Sequence, residues 1–284
     1  PEMTAKAKMR MHVESELSFA LERDELYLNY QPIVDARSGQ IIKAEALLCW
    51  NNSELGIVPP ANFIPVAEKT GLIVPIGKWV IETVCKQIGA WRASGMKIMC
   101  VTINVSASQF DSDPGLIEVI KNTLKVNELA SDAIQLELAE GVLMSESPSI
   151  TTAMAELERL GIKLLIDDFG TGYASLSSLQ QYNFDCVKID RRYINKILVN
   201  EQDAQLFKTI VAMVKNLGMS VVSDGVETDG QLGILLDAHC QFAQGSYFSK
   251  PVSAREFESL CNQANTTTTR NSPLELVTSV SKSS

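Results

Sequence analysis

The sequence predicts an α/β fold, a TIM-like (β/α)8 barrel with one antiparallel strand. Three observations point to it. Eight short apolar runs alternate with stretches of helical period over ~240 residues, the span such barrels need. The first two runs are separated by only six residues, from Asp35 to Gln40, with Ser38-Gly39 among them. Six residues cannot hold a crossover helix, so that pair must form an antiparallel hairpin. No Gly-x-Gly-x-x-Gly follows the early strands, which weakens the alternative of a doubly wound open sheet around a dinucleotide.

The elements follow in order. Residues 1–25 are polar and helical in pattern, with neither Gly nor Pro after Pro1, and residues 1–20 read as a helical linker. The abrupt start suggests a fragment of a longer protein. Strand candidates are residues 26–34, 41–48, 97–105, 133–138, 163–166, 186–189, 220–223 and 241–243. Ile76, Val80, Val84, Ile88 and Trp91 recur at helical spacing between Pro75 and Gly95, which supply start and stop signals. Met154, Leu157 and Leu160 precede Gly161, and Leu206, Ile210, Val214 and Leu217 precede Gly218, the glycine that commonly ends a helix. Residues 265–284 are rich in Thr and Ser and read as a disordered tail, leaving 21–264 for the barrel.

Composition bounds the function. Apolar residues make up 45% of the 284 and charged ones 21%, enough for a full core. With 25 Lys+Arg against 34 Asp+Glu the net charge is −9, which argues against a nucleic-acid partner or a polybasic membrane surface. A phosphate substrate stays open if metal ions intervene. Only His12 and His239 are present, too few for a His-rich centre. No apolar run approaches the ~18–20 residues of a membrane span, and no signal peptide is visible. Cys49, Cys85, Cys100, Cys186, Cys240 and Cys261 include no Cys-x-x-Cys pair. They read as small buried hydrophobes in a reducing cytoplasm, whatever anchors the parent protein.

Active sites of such barrels lie where the strands end at their carboxyl side. The polar residues there are Glu45, Asn104, Glu137 with Glu140 beyond it, Asp167-Asp168, Lys188 and Asp190, Asp224, and Gln244. Singly, each reads as a cap or a turn residue, and Lys188 beside Asp190 reads as an ion pair. Together they bring oxygen ligands from five strands to one mouth. Carboxylates crowded within a few ångströms repel, and hard divalent cations relieve that repulsion. An all-oxygen set suits Mg2+ or Mn2+ rather than zinc, and adjacent aspartates suit a two-metal site. The residues alone thus predict a metal-dependent phosphoester hydrolase.

Several motifs now stand together: Gln31-Pro32-Ile33-Val34, Glu45-Ala46-Leu47, Phe63-Ile64-Pro65, Thr70-Gly71-Leu72-Ile73, Asn104-Val105-Ser106, Asp167-Asp168-Phe169-Gly170-Thr171-Gly172-Tyr173, Lys188-Ile189-Asp190-Arg191 and Phe248-Ser249-Lys250-Pro251. They closely resemble the EAL domain family, cyclic di-GMP phosphodiesterases of bacterial signalling, across residues 15–262. The leading stretch resembles the linker that follows a GGDEF domain in tandem signalling proteins. The resemblance implies a TIM-like barrel with an antiparallel strand and hydrolysis of cyclic di-GMP to linear pGpG with Mg2+ or Mn2+, one or two ions per site, inhibited by Ca2+. It implies Glu45, Asn104, Glu137 and Asp167 as ligands of one metal, with Asp167 bridging to a second that also takes Asp168. It implies Lys188 against the attacking water or the phosphate, Asp224 as a catalytic residue at the seventh-strand position of a second-metal ligand and candidate general base, and Glu140 bracing the loop over residues 168–175. That loop would support the metals and a homodimer interface. Gln31, Glu45, Leu48, Asp168 and Gln244 would meet the substrate.

Four positions depart from the family pattern. Cys49 stands where an arginine holds a ligand phosphate, and Asp224 where a glutamate is expected. Asn52-Ser53 replaces a His-Pro pair, and Gln244-Gly245-Ser246 replaces Gln-Gly-Tyr. Cys49 and Asp224 keep a second reading open, a degenerate domain that binds cyclic di-GMP or a protein partner as a receptor. The complete metal-ligand set favours the enzyme.

Overall fold

The computed structural model describes residues 2–96, 100–111, 115–144, 148–170, 179 and 182–267. Helix α1 (Glu2–Leu17) leads into β1 (Leu26–Asp35), β2 (Ile41–Asn52), β3 (Gly56–Val58), α2 (Pro60–Thr70), α3 (Ile73–Ala93) and β4 (Val101–Val105). Then come α4 (Leu116–Val126), β5 (Ile134–Ala139), α5 (Pro148–Arg159), β6 (Lys163–Phe169), β7 (Cys186–Ile189), α6 (Arg191–Ile194) and α7 (Glu201–Asn216). The described chain closes with β8 (Ser220–Ser223), α8 (Asp229–Asp237), β9 (Phe242–Ala243) and α9 (Ala254–Thr267).

Eight strands form the ring β1-β9-β8-β7-β6-β5-β4-β2, closed by the β1–β2 pairing, and β3 lies outside it against β2. From β2 through β9 the ring neighbours run parallel, and β1 is antiparallel to both β2 and β9. The six-residue connection therefore makes the hairpin expected of it.

Directly paired residues share a face of the sheet, so the register identifies the inward positions. Gln31 faces Glu45 and Ile33 faces Lys43 across β1 and β2. Asn104 lies beside Glu137, Glu137 beside Leu165, and Lys188 beside Val222. The interior is layered. At the floor Lys43 is buried and donates to Gln135 Oε1 at 2.7 Å, with its amine 5.8 Å from the Phe242 ring centre. Ile33, Leu165, Cys186 and Val222 form a small apolar disc above it. The larger core lies between the barrel and its helices, with Trp50, Phe63, Trp91, Phe207 and Phe257 among its fully buried members.

Several expectations shift in detail. β2 does not end near Leu48 but runs to Asn52, because β1 and β2 pair as a ribbon beyond the ring. There Trp50 packs edge-on against Phe63 at 5.6 Å, and β3 adds three further pairs. β6 runs past Ile166 through Phe169, and β4 begins at Val101, residues 97–99 lying outside the described set. The end of α1 is not free of the barrel: Val13, Leu17 and Ala20 are buried in the main core. α9 continues to Thr267, past residue 264, and residues 268–284 lie outside the described residues. The six cysteines are free, but Cys49, Cys100 and Cys261 are only partly buried. Among the described residues, no helix is long and apolar enough to cross a membrane.

Candidate active site

The mouth is organised around one amine. Lys188 projects inward from β7 and is buried. Its Nζ donates to Glu45 Oε2 at 2.7 Å and to Glu137 Oε1, and stands 3.9 Å from Asp167 Oδ1. Burial opposes its charge, but Glu137, Glu45, Asp167 and Asp224 outweigh that and raise its pKa well above the ordinary lysine value. The ion pair expected with the neighbouring Asp190 does not form. Asp190 caps α6 instead, accepting from the Arg192 amide and Nε at 2.8 Å each, and its carboxyl meets Asp168 rather than Lys188.

Glu45 sits mid-strand on β2 at the centre of a donor set. Besides Lys188, it accepts from Asn104 Nδ2 at 2.9 Å and Gln244 Nε2 at 2.7 Å. Burial pushes its pKa up, but Lys188 and these donors outweigh it, and the carboxyl ends below its ordinary range. Glu137 has no such surplus. Burial and the Glu45 charge carry its pKa well above the usual value, Lys188 notwithstanding. Gln244 also donates to Gln31 Oε1 at 3.0 Å, and Gln31 Nε2 donates to the Ser249 carbonyl at 3.1 Å, so strands β1, β2 and β9 are tied together above the apolar disc. Gly245, at φ +152°, lets β9 close on β8: a Cβ there would lie 2.1 Å from the Val226 carbonyl oxygen.

A bulge sets the adjacent aspartates differently: Asp167 Oδ1 lies 3.9 Å from Lys188 Nζ, whereas Asp168 is exposed and meets the Asp190 carboxyl. Register slips between Ile166 and Phe169, and Asp168 takes φ +55°, a left-handed conformation that breaks the alternation of the strand. Desolvation, Asp167 and a hydrogen bond to the Asp190 carboxyl raise the Asp168 pKa to about 6. Glu140 is buried and its Oε2 accepts from the Gly170 amide at 3.1 Å. Asp224 follows β8; its Oδ1 accepts from the Gly225 amide at 2.7 Å, and burial raises its pKa although Lys188 pulls the other way. Cys49 and Leu48 are half-buried further along β2. Cys49 lies on the same face as Glu45 and opposite Tyr27, its thiol pushed up by burial. Residues 171–175 of the loop expected to brace a dimer lie outside the described residues.

Sequence reasoning thus places Gln31, Glu45, Glu137, Lys188, Asn104, Asp167, Asp224 and Gln244 at one mouth, and the structure brings them together. It missed Tyr193, whose hydroxyl donates to the Gly170 carbonyl at 2.6 Å. Its position two residues after Arg191 in the Lys188-Ile189-Asp190-Arg191 motif was the available signal.

The donor set suits a hard cation. Glu137 Oε2 and Gln244 Oε1 are buried acceptors without a hydrogen-bond partner, and such orphans call for a cation or a donor. Four carboxyls, those of Glu45, Glu137, Asp167 and Asp224, surround one amine, and the potential ligands are all oxygen. In this arrangement they stand apart around Lys188. Among the described residues, the three-membered group of His, Cys, Asp and Glu that converges within 4.8 Å is His12, Glu16 and Glu54, where α1 meets the β2–β3 turn. That group is already paired: His12 Nε2 lies 3.3 Å from Glu54 Oε2, and Glu16 Oε2 accepts from Arg23 at 2.8 Å and Asn52 at 3.2 Å.

Comparison with known proteins places this geometry. The chain matches the EAL domain over residues 14–251. It is 37% identical over 254 residues to the bifunctional diguanylate cyclase/cyclic di-GMP phosphodiesterase MucR of Pseudomonas aeruginosa, covering 89% of this chain and 37% of that protein. It is 34% identical over 257 residues to the cyclic di-GMP phosphodiesterase NbdA of the same organism, covering 90% and 33%. The chain thus spans about a third of the length of these relatives. A solved structure of the MucR phosphodiesterase in complex with c-di-GMP superposes with a TM-score of 0.82 at 36% identity, over 87% of this chain and 99% of that one. The EAL enzyme Bd1971 in its cAMP- and cyclic-di-GMP-bound form gives 0.84 at 29% identity, over 90% and 69%.

Proposed function

The chain belongs to the EAL domain family, and from that premise we propose that it hydrolyses cyclic di-GMP to linear pGpG with Mg2+ or Mn2+. The observation that carries this reading is the acid-lined mouth in which Glu137 Oε2 remains unpartnered while Lys188 is held charged. Glu45, Asn104, Glu137, Asp167 and Asp168 would hold one or two ions. When bound, such ions supply positive charge against phosphate oxygens and acidify a water.

The chain's own groups divide the remaining work. Lys188, with its raised pKa, serves as a fixed positive charge and hydrogen-bond donor toward the phosphate or the attacking water, not as a base. Asp224, whose pKa burial raises, is the better proton acceptor and fills the role of base. Gln31 and Gln244 present amides beside Glu45 that orient the substrate; the side chain of Leu48, three residues on, instead faces the other side of β2 with Trp50 and packs against the outer core, so the substrate contact expected of it is not made by that side chain. Glu140 acts at one remove, on the Gly170 amide. We further propose that the protein works in the cytoplasm as a homodimer.

The test is nucleotide turnover followed by chromatography. The expected outcome is pGpG formation with Mn2+, none in excess EDTA, inhibition by Ca2+, and no turnover in Glu45→Ala. Undiminished wild-type turnover in excess EDTA would overturn the proposal. The half-buried thiol of Cys49 on the ligand-facing strand favours the receptor as the second reading. Tight binding of the dinucleotide without turnover would decide for it.

A further inference from the structure

The end of β6 is held in a strained shape from outside the strand. Asp168 has φ +55°, a conformation that a non-glycine residue keeps only where its surroundings enforce it. Three contacts surround it. The Asp190 carboxyl, fixed by Arg192, hydrogen-bonds the Asp168 carboxyl. Glu140 Oε2 accepts from the Gly170 amide at 3.1 Å. The Tyr193 hydroxyl donates to the Gly170 carbonyl at 2.6 Å. Gly170 itself sits at φ +90°, and a Cβ there would lie 2.6 Å from the Tyr193 hydroxyl and 2.8–2.9 Å from its ring carbons. The tyrosine thus rests directly on the glycine backbone while its hydroxyl holds the carbonyl.

We propose that Tyr193 is a positioning residue for the Asp167–Asp168 pair: by fixing the Gly170 peptide opposite Glu140, it holds the bulge at Asp168 that sets how the two carboxylates stand at the rim of the mouth, and so sets their affinity for a divalent cation. This rests on the metal-dependent reading of the site given above. The role belongs to the hydroxyl, since phenylalanine would preserve the ring's contact with Gly170 and leave only the carbonyl without its donor. α6 then acts on β6 at two points, Asp190 on the side chain of Asp168 and Tyr193 on the backbone two residues later.

The experiment compares wild type with Tyr193→Phe, and with Tyr193→Leu, which also removes the ring contact. Mn2+ affinity is measured by calorimetry without nucleotide, and kcat and KM for cyclic di-GMP are measured at saturating Mn2+. Tyr193→Phe should weaken Mn2+ binding about three- to tenfold, the range one net hydrogen bond supports. Its melting temperature should fall by no more than about 2–4 °C, its KM should stay unchanged, and saturating Mn2+ should restore kcat. Tyr193→Leu should lose more. Wild type that binds Mn2+ and releases pGpG while Tyr193→Phe matches its Mn2+ affinity would overturn the positioning role alone. Wild type that neither binds Mn2+ nor releases pGpG would overturn the reading of the site, and this inference with it.

Discussion

Lys188 shows how little of an ion pair can be read from neighbours in sequence. Its partners Glu45 and Glu137 lie 143 and 51 residues away, across the barrel, whereas Asp190 two residues on caps a helix and meets Asp168. The carboxylates themselves were legible, because Glu137 and Asp167 sit toward the carboxyl ends of their strands, Asp224 just beyond its own, and Glu45 at the end of the apolar run that β2 carries past the ring. Which of them shares the lysine was not, because strand curvature and register decide it. Removing one member of a buried pair leaves an uncompensated charge, at a cost of about 3–5 kcal/mol. Lys188→Met should therefore lower stability by that order in urea unfolding without metal, and added Mn2+ should recover part of the loss while turnover stays at least about 10²-fold down. Cys49 and Asp224 call for changes toward the family pattern. Cys49→Arg should tighten nucleotide binding about tenfold in Ca2+ calorimetry, the range of one charge-assisted phosphate contact. Asp224→Glu should raise turnover and lower the Mn2+ concentration for half-maximal rate. If it does neither and Asp224→Ala is nearly inactive, the native aspartate already reaches its target.

At the scale of elements, the β1–β2 ribbon does more than close the ring. Its far end is tied to the segment between α1 and β1, where Glu25 Oε2 accepts from Trp50 Nε1 at 3.0 Å and Asn52 Nδ2 at 2.9 Å. The hairpin was legible from the length of its connection. The extension through Asn51-Asn52 was not, because two asparagines read as a turn until their partners on β3 and near α1 are in view. Glu25→Ala strands the buried indole N–H, while the Asn52 amide keeps Glu16, and the lost partner costs about 1–3 kcal/mol. The pH dependence has a definite sign. Burial pushes the Glu25 carboxyl up, but Trp50 and Asn52 outweigh it and hold its folded pKa below the ordinary 4.5. Its contribution is thus present above that value and is lost as pH falls through the lowered folded pKa. The stability gap between wild type and Glu25→Ala should be full at pH 7 and narrow below about pH 4, as chemical denaturation at several pH values would show.

Over the whole molecule the ring is uneven. β5 pairs with β4 and with β6 along five positions each, whereas β9 meets β1 only at Val34–Ala243 and Asp35–Phe242. The class and the reversed strand were legible from the order of apolar runs, but the thinness of this seam was not, since a two-residue strand carries no periodicity. Local opening starts where few contacts hold. Native-state hydrogen exchange should therefore find the Ala36 amide, which donates to the Gln241 carbonyl, exchanging at least about tenfold faster than those of Leu136 and Ile166. The layered interior has one more consequence, for assembly. Lys43 and Glu45 both point inward from β2, two residues apart, one at the floor and one at the mouth. A slip of β2 by one residue would turn its apolar side chains to the wrong face and be rejected by the hydrophobic pattern. A slip by two would keep every side chain on its proper face and escape that check. It would instead carry Lys43 into the place of Glu45, setting a second amine beside Lys188 in a buried cavity. The opposite charges on β2 therefore penalise a misregistration to which the alternation of faces is blind.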